Sequence, residues 1–224
     1  MIVGSCHRVY VDQFLTSAAN RMRGRVLDIG GTRANKKGSF RPPTEGVASW
    51  EYLNIDAASQ PDYLSNAETM PLTDGSVDCF LMCEVLEHLE RPEAVLLEAA
   101  RVLKHGGVGV MTMPFLYPVH ADPHDFQRWT KEKLERELKL ANFEVVRIDP
   151  LGGPIAVLHD LILNLTWRSP PSLSMRVLSK LLAWSAGPAL WLDRRFPDVW
   201  KHITSGWGIL VIRSPVETEG RAGA

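Results

Sequence analysis

"RVLDIGGTRANKKGSF", residues 25–40, decides how this chain is read. Val26-Leu27-Asp28-Ile29 is a short apolar run interrupted by one acid, and Gly30-Gly31 follows as a turn where a ligand can approach the backbone. A dinucleotide loop would continue as G-x-G-x-x-G into an apolar helix whose N-terminus holds a pyrophosphate. Here Thr32 takes the place of the second glycine, and Arg33, Asn35, Lys36 and Lys37 follow instead of apolar residues. An acid closing the strand repels a pyrophosphate and suits a cation. The turn therefore fits a positively charged ligand without phosphate better than a dinucleotide.

Working outward, apolar strands alternate with helical patterns. Val9, Phe14, Leu15, Ala18 and Met22 predict a helix ahead of the first strand at 25–29. "EYLNID" (51–56), a short stretch at Tyr63-Leu64, "VDCFLMCEV" (77–85), "VGVMTMP" (108–114), "FEVVRID" (143–149) and "WGILVIR" (207–213) read as further strands. Pro92 to Lys104 repeats apolar residues at helical spacing and ends before Gly106-Gly107, and Thr130 caps a helix over 131–142. Residues 33–49, with Gly38, Pro42, Pro43 and Gly46, read as a long loop rather than a helix. The alternation predicts an α/β fold: a Rossmann-like, doubly wound and mostly parallel seven-stranded sheet with a C-terminal antiparallel strand. The domain reading is a core over 1–153 with the N-terminal helix, a helical insertion or cap over 154–205, a final strand at 206–213 and a disordered tail at 214–224.

Composition narrows the class. With 224 residues, 45% of them hydrophobic, one large core is expected, and a net charge of −1 without long charge runs argues against a nucleic-acid surface. Cys79 and Cys83 lie in one strand about 13 Å apart, too far to bridge, and the third cysteine, Cys6, has no partner. No basic-then-apolar leader and no apolar run of about 18 residues is present, so a cytoplasmic location is expected.

Ligands of such sheets lie beyond the carboxyl ends of the strands, and four chemically rich segments fall there: 28–31, 54–56, 83–88 and 114–128. S-adenosylmethionine carries a sulfonium and an ammonium, so acid-then-glycine suits it, and Asp56 is placed to accept from two ribose hydroxyls. Taken together, "VLDIGG", "NID", "NAETMPLTDGSVDCFLMCEVLEHL", "RPEAVLLEAARVLKHGGVGVMTMPF" and "LKLANFEVVRI" resemble the class I S-adenosylmethionine-dependent methyltransferases over roughly residues 24–150. "PHDFQRWT" (123–130) is similar to a subgroup assigned to glycan or cell-surface biosynthesis. The resemblance implies that Asp28, Gly30 and Gly31 surround the amino-acid end of the cofactor and that Asp56 takes the ribose. It sets Asn66 and Ala67 near the adenine, with Asn66 replacing the usual aspartate. Cys83 and Glu84 then line the methionine and ribose moieties. Thr32 in place of glycine requires a negative φ or strain at that position.

For the acceptor, "HADPHD" (120–125) groups two histidines and two aspartates after a strand end. His124 is the expected general base, with His120 second and Asp125 beside them, and His88 is read as structural. No metal is expected, because the spacing matches no strong ligand pattern. The expected reaction is O-methylation of a small molecule or a glycan precursor. Two alternatives stay open, a methyltransferase-like binding protein without turnover and, behind it, a nicotinamide-dependent oxidoreductase. "IAVLHDLILNLTW" and "SMRVLSKLLAWSAGPALWL", with Trp167, Trp184, Trp191 and Trp200, read as helices that Gly187-Pro188 breaks. They serve as a lid, a homodimer face or a shallow membrane-surface contact, Arg194, Arg195 and Lys201 favouring the last.

Overall fold

A computed structural model of the chain describes residues 5–34, 38–120, 124–168, 173–195 and 202–215. Seven strands form one sheet: β1 (Gly24–Ile29), β2 (Val47–Asn54), β3 (Tyr63–Leu64), β4 (Val77–Cys83), β5 (Leu103–Pro114), β6 (Phe143–Pro150) and β7 (Gly206–Arg213). Their spatial order is β3-β2-β1-β4-β5-β7-β6. β1 to β5 run parallel, and β7 lies antiparallel between β5 and β6. The expected doubly wound sheet with a reversed C-terminal strand is therefore the one observed.

Residue alternation in β1 shows why the sheet is covered twice. Leu27 and Ile29 face a core built with α2 (Pro92–Val102) and α3 (Lys131–Leu140), including Leu96, Ala99, Leu134 and Leu138. Val26 faces the other way, onto Val11, Phe14 and Leu15 of α1 (Cys6–Ala18). Local chemistry fixes the helix starts: Ser5 Oγ accepts from the Arg8 N–H, Pro92 opens α2, and Thr130 Oγ1 accepts from the Lys133 N–H.

No helix follows β1 among the described residues; the chain to β2 is irregular, as expected, up to Gly46. It docks on α1 instead, where Ser39 donates from its N–H (2.6 Å) and its hydroxyl (2.9 Å) to Asp12, and Phe40 joins the α1-side core. β2 begins at Val47 rather than 51, so the loop is shorter than the sequence suggested. Its first residues are half exposed at a thinly covered part of the sheet, and their pattern is correspondingly weak. β5 likewise starts at Leu103 rather than 108, because Lys104, His105 and Gly106 extend the strand in solvent with no apolar signature.

Two helices, α4 (Pro154–Arg168) and α5 (Leu173–Arg195), are inserted between β6 and β7 and pack on α1. Pro188 does not end α5. Ala186 and Leu190, on either side of it, are buried against Cys6 and Ala156, while Pro188 itself faces solvent, so tertiary packing holds the helix across the missing N–H. Trp200 and Lys201 lie outside the described residues, as does the tail beyond 215 that was expected to be disordered. No helix is long and apolar enough to cross a membrane among the described residues.

Candidate active site

The carboxyl ends of β1, β2 and β4 gather most of the residues singled out in the sequence. Gly30 adopts φ +76°, and a Cβ there would lie 2.6 Å from Val85. A Cβ on Gly31 would lie 2.3 Å from the Asp28 carboxyl carbon, so the acid folds directly over the turn. Asp28 is nearly buried and accepts from Trp50 Nε1 at 3.2 Å. Asn54, closing β2, donates to the carbonyls of both Gly30 and Gly31 (3.1 and 3.0 Å), which ties the turn to the neighbouring strand. Thr32 does not adopt a positive φ, and its hydroxyl donates to the Ala34 carbonyl at 2.8 Å.

Asp56 stands exposed beyond β2 and accepts from the Ala58 N–H at 2.9 Å, which caps a short 3₁₀ turn. Asn66 is exposed and caps its own turn through the Glu68 N–H, and Ala67 beside it is buried. Cys83 at the end of β4 is tied to Thr112 Oγ1 (3.4 Å) and Arg8. Burial, then the charge of Glu84, pushes its thiol up to about 12, so it is not a thiolate.

Glu84 is the strained residue of the site, with φ +55° on a non-glycine side chain. Its N–H donates to the Thr112 carbonyl and approaches Thr112 Oγ1, and its carboxylate meets His7 Nε2 at 2.8 Å. Burial alone would raise its pKa, but His7 and then Arg8 outweigh it and hold the carboxyl at about 2. His7 in turn meets Ser205 Oγ at 2.8 Å, so the start of α1 and the approach to β7 converge on β4. His7 carries no signal in the sequence. Its partners are 77 and 198 residues away, and no local pattern announces them.

One turn after Glu84, the side chain of Glu87 is wholly buried, and among the described residues neither of its oxygens has a hydrogen-bond partner. Burial first, then the Glu84 charge, raises it to about 9. His88 Nε2 lies 3.5 Å and His120 Nε2 3.8 Å from Glu87 Oε1, and the two imidazoles meet edge to face. Burial lowers the pKa of His120 against the opposing bond to the Pro118 carbonyl. Glu87 was passed over in the sequence, although an acid inside the apolar "EVLEHL" was a visible anomaly.

Residues 124–130 strap this turn in place. Phe126 N–H donates to the Glu87 carbonyl, Gln127 Nε2 donates to those of Leu86 and Leu89, and His88 Nδ1 bonds the His124 carbonyl at 2.5 Å. The three residues expected to serve the acceptor thus divide. His120 faces Glu87; Asp125 is engaged by Arg128 and by the His120 N–H (2.9 Å); and the His124 ring is exposed against Phe126. The remainder of the "HADPHD" cluster, residues 121–123, lies outside the described residues. A separate surface cavity of about 480 Å³, lined by Gly24, Asp78 and Lys104, sits at the opposite, amino edge of the sheet, away from all of these groups.

A family model described as a methyltransferase domain matches residues 48–111, from the start of β2 into β5. Among curated proteins, an uncharacterised 37.1 kDa protein in transposon Tn4556 of Streptomyces fradiae is 47% identical over 51 residues. That match spans 23% of this chain and only 15% of the relative. Solved structures with the same fold include the [4+2]-cyclase SpnF, at TM-score 0.56 and 17% identity, covering 92% of this chain and 81% of that one. A SAM-dependent methyltransferase from Archaeoglobus fulgidus gives 0.55 and 17%, covering 92% and 94%. Geranyl diphosphate C-methyltransferase from Streptomyces coelicolor, solved with Mg²⁺, geranyl diphosphate and S-adenosyl-L-homocysteine, gives 0.54 and 15%, covering 90% and 79%. Identities this low speak for the fold alone, and a cyclase among them shows that the fold hosts more than one chemistry. Residues 48–111 thus match a methyltransferase-domain model, and the seven-stranded sheet as a whole has the Rossmann-like fold of these solved methyltransferases.

Proposed function

We propose that this chain is an S-adenosylmethionine-dependent methyltransferase. One observation carries the reading: two successive glycines stand at the end of β1, the first at φ +76°, and an acid lies folded over the second where a Cβ would meet it. A backbone left bare beside a carboxylate is a cradle for a compact cationic ligand, and it fits the ammonium end of this cofactor. Asp28, Gly30 and Gly31 hold that end, Asp56 accepts from the ribose hydroxyls, Asn66 and Ala67 border the adenine, and Cys83 and Glu84 line the middle. When bound, the cofactor supplies a sulfonium methyl group for in-line displacement. Glu84, fixed as an anion by His7, contributes negative charge beside that position.

The acceptor is taken to be a hydroxyl of a small molecule or glycan precursor, entering from the 114–128 side. His124, its ring exposed, accepts the hydroxyl proton as the oxygen attacks, His120 being the next candidate; Asp125, held by Arg128, positions the segment. Outward apolar residues of α4 and α5, including Leu165, Leu181 and Trp184, offer a face for a second copy or a membrane surface. Sedimentation of the full chain with and without anionic vesicles separates those two, and a monomer that ignores vesicles removes both.

Calorimetry tests the cofactor: S-adenosylmethionine and S-adenosylhomocysteine should bind, and NADH should not. Binding of NADH alone would overturn the assignment. With an accepted hydroxyl substrate, His124→Ala should lower kcat by roughly 10²–10⁴ with cofactor affinity nearly intact. A second reading, a methyltransferase-like binding protein without turnover, is favoured by the lack of a helix after β1 among the described residues. Cofactor binding without labelled-methyl transfer to any of a panel of hydroxylated acceptors would favour it.

A further inference from the structure

Glu87, His88 and His120 pose a problem in hydrogen-bond accounting. His88 Nδ1 faces the His124 carbonyl at 2.5 Å and His120 Nδ1 faces the Pro118 carbonyl at 3.2 Å. A carbonyl only accepts, so each Nδ1 carries the proton, and each neutral ring is left with a lone pair on Nε2. Both Nε2 atoms point toward Glu87 Oε1, an acceptor when ionised, at 3.5 and 3.8 Å. Three acceptor atoms converge, all within 4.8 Å of one another, around a carboxylate that is 0% exposed and has no hydrogen bond from any described residue. Apart from the proton that Glu87 itself carries when no ion is bound, nothing seen among them donates into the space they enclose, and an ion would take that proton's place.

We infer that Glu87, His88 and His120 form a binding site for a divalent transition-metal ion, with zinc the best match. Two imidazole nitrogens and one carboxylate oxygen are a donor set suited to Zn²⁺ and poorly suited to Mg²⁺ or Ca²⁺. Bonds of 2.0–2.1 Å at tetrahedral angles set neighbouring ligand atoms about 3.3 Å apart. The two imidazole nitrogens lie 3.5 and 3.8 Å from Glu87 Oε1 and all three atoms within 4.8 Å of one another, so side-chain shifts complete the geometry. The outer shell is also built. Backbone carbonyls fix both imidazole tautomers, and the 124–130 strap holds the Leu86–His88 turn through three backbone carbonyls.

The contrast with the other histidine–acid cluster is instructive. In Cys6–His159–Asp160, His159 Nε2 donates to the Leu182 carbonyl and Nδ1 hydrogen-bonds Asp160 at 3.0 Å, which keeps that ring doubly protonated with no lone pair to offer. Neither Nε2 beside Glu87 makes a hydrogen bond to it. Three protein ligands at the Glu87 site leave a fourth position open at the carboxyl edge of β4 and β5, where a water or an acceptor oxygen can bind. This assigns His120 to the ion and leaves His124 to the proton. Metal binding stands independently of the methyl-transfer reading; only the use of the fourth position rests on it.

The test uses the full chain, stripped with a chelator and titrated without cofactor. Co²⁺ should bind one ion per chain with visible ligand-field absorption, and Zn²⁺ should displace it. His120→Ala and His88→Ala should each weaken Zn²⁺ by more than the roughly 10- to 100-fold that an outer-shell loss costs. His120 is part exposed, so its alanine variant is expected to fold, with circular dichroism as the check. Absence of stoichiometric Co²⁺ binding would overturn the assignment, as would unchanged Zn²⁺ affinity in both alanine variants. So would loss of the metal in Cys6→Ser with retention in His120→Ala.

Discussion

Thr32 occupies the position where the strand–turn pattern usually carries its second glycine, and the backbone there keeps out of the left-handed region. Nothing at position 32 needs glycine's freedom, whereas Gly30 at φ +76° does, and a Cβ on Gly31 would meet the Asp28 carboxyl. Thr32→Gly is therefore expected to leave S-adenosylmethionine affinity unchanged. It should lower stability by about 0.5–1 kcal/mol, through the unfolded chain's added freedom and loss of the hydroxyl bond to Ala34. Urea unfolding and calorimetry read the two effects separately, and tighter binding in the variant would show that threonine strains the loop. The same scale shows what a single sequence discloses. Asp28, Gly30 and Gly31 were legible because their chemistry sits in consecutive residues. His7 and Glu87 were not, because their meaning depends on groups brought from distant segments.

Helices α1, α4 and α5 are joined by capping in trans. Asp160 of α4 accepts the N–H groups of Cys6 and His7 at the start of α1 (2.7 and 2.8 Å). Asp193 of α5 accepts those of Gly153, Ile155 and Ala156 at the start of α4 and also the Tyr10 hydroxyl (2.7–3.2 Å). Each carboxylate is buried against a positive helix end, which replaces a local cap by one supplied from a neighbour. Asp193→Ala leaves those donors unpaired and should cost about 2–4 kcal/mol in urea unfolding, with Asp193→Asn costing less. A cost below ~0.5 kcal/mol would mean that solvent satisfies the α4 terminus. Sequence pattern exposed the existence of these helices through their apolar periodicity but not the caps, since an aspartate in the middle of α4 or in the last turn of α5 is no capping signal. The strands divide in the same way. β4 and β7 were plain because both faces are buried, whereas the first turns of β2 and β5 were missed because solvent reaches them.

Two ion pairs, His159–Asp160 in α4 and Arg25–Glu51 between β1 and β2, give the molecule's stability opposite pH limits. The hydrogen bond to Asp160, then the one to Cys6, raises His159 from 6.5 to about 10, where it joins the helical insertion to α1. A raised folded-state value favours the protonated form, so this stabilisation is complete below 6.5 and is lost as pH rises through about 10. Glu51 behaves in reverse. Its bonds from Arg25, then from Tyr63 and Ser49, outweigh partial burial and lower it from 4.5 to about 2, at the β1–β2 edge. That contribution is complete above 4.5 and is lost as pH falls through about 2. Comparing each variant with the wild type at every pH cancels groups common to both. The deficit of His159→Gln, on the order of 2 kcal/mol at pH 6, should shrink toward pH 10 and change little between pH 4 and 6. The deficit of Glu51→Gln should hold from pH 5 to 8 and shrink only toward pH 2. Because the insertion, α1 and the sheet share buried residues, both deficits should appear in one cooperative urea transition followed by circular dichroism. A His159→Gln deficit that grows with pH would mean that the imidazole is neutral in the folded chain, and the joint between α1 and α4 would then rest on Asp160 alone.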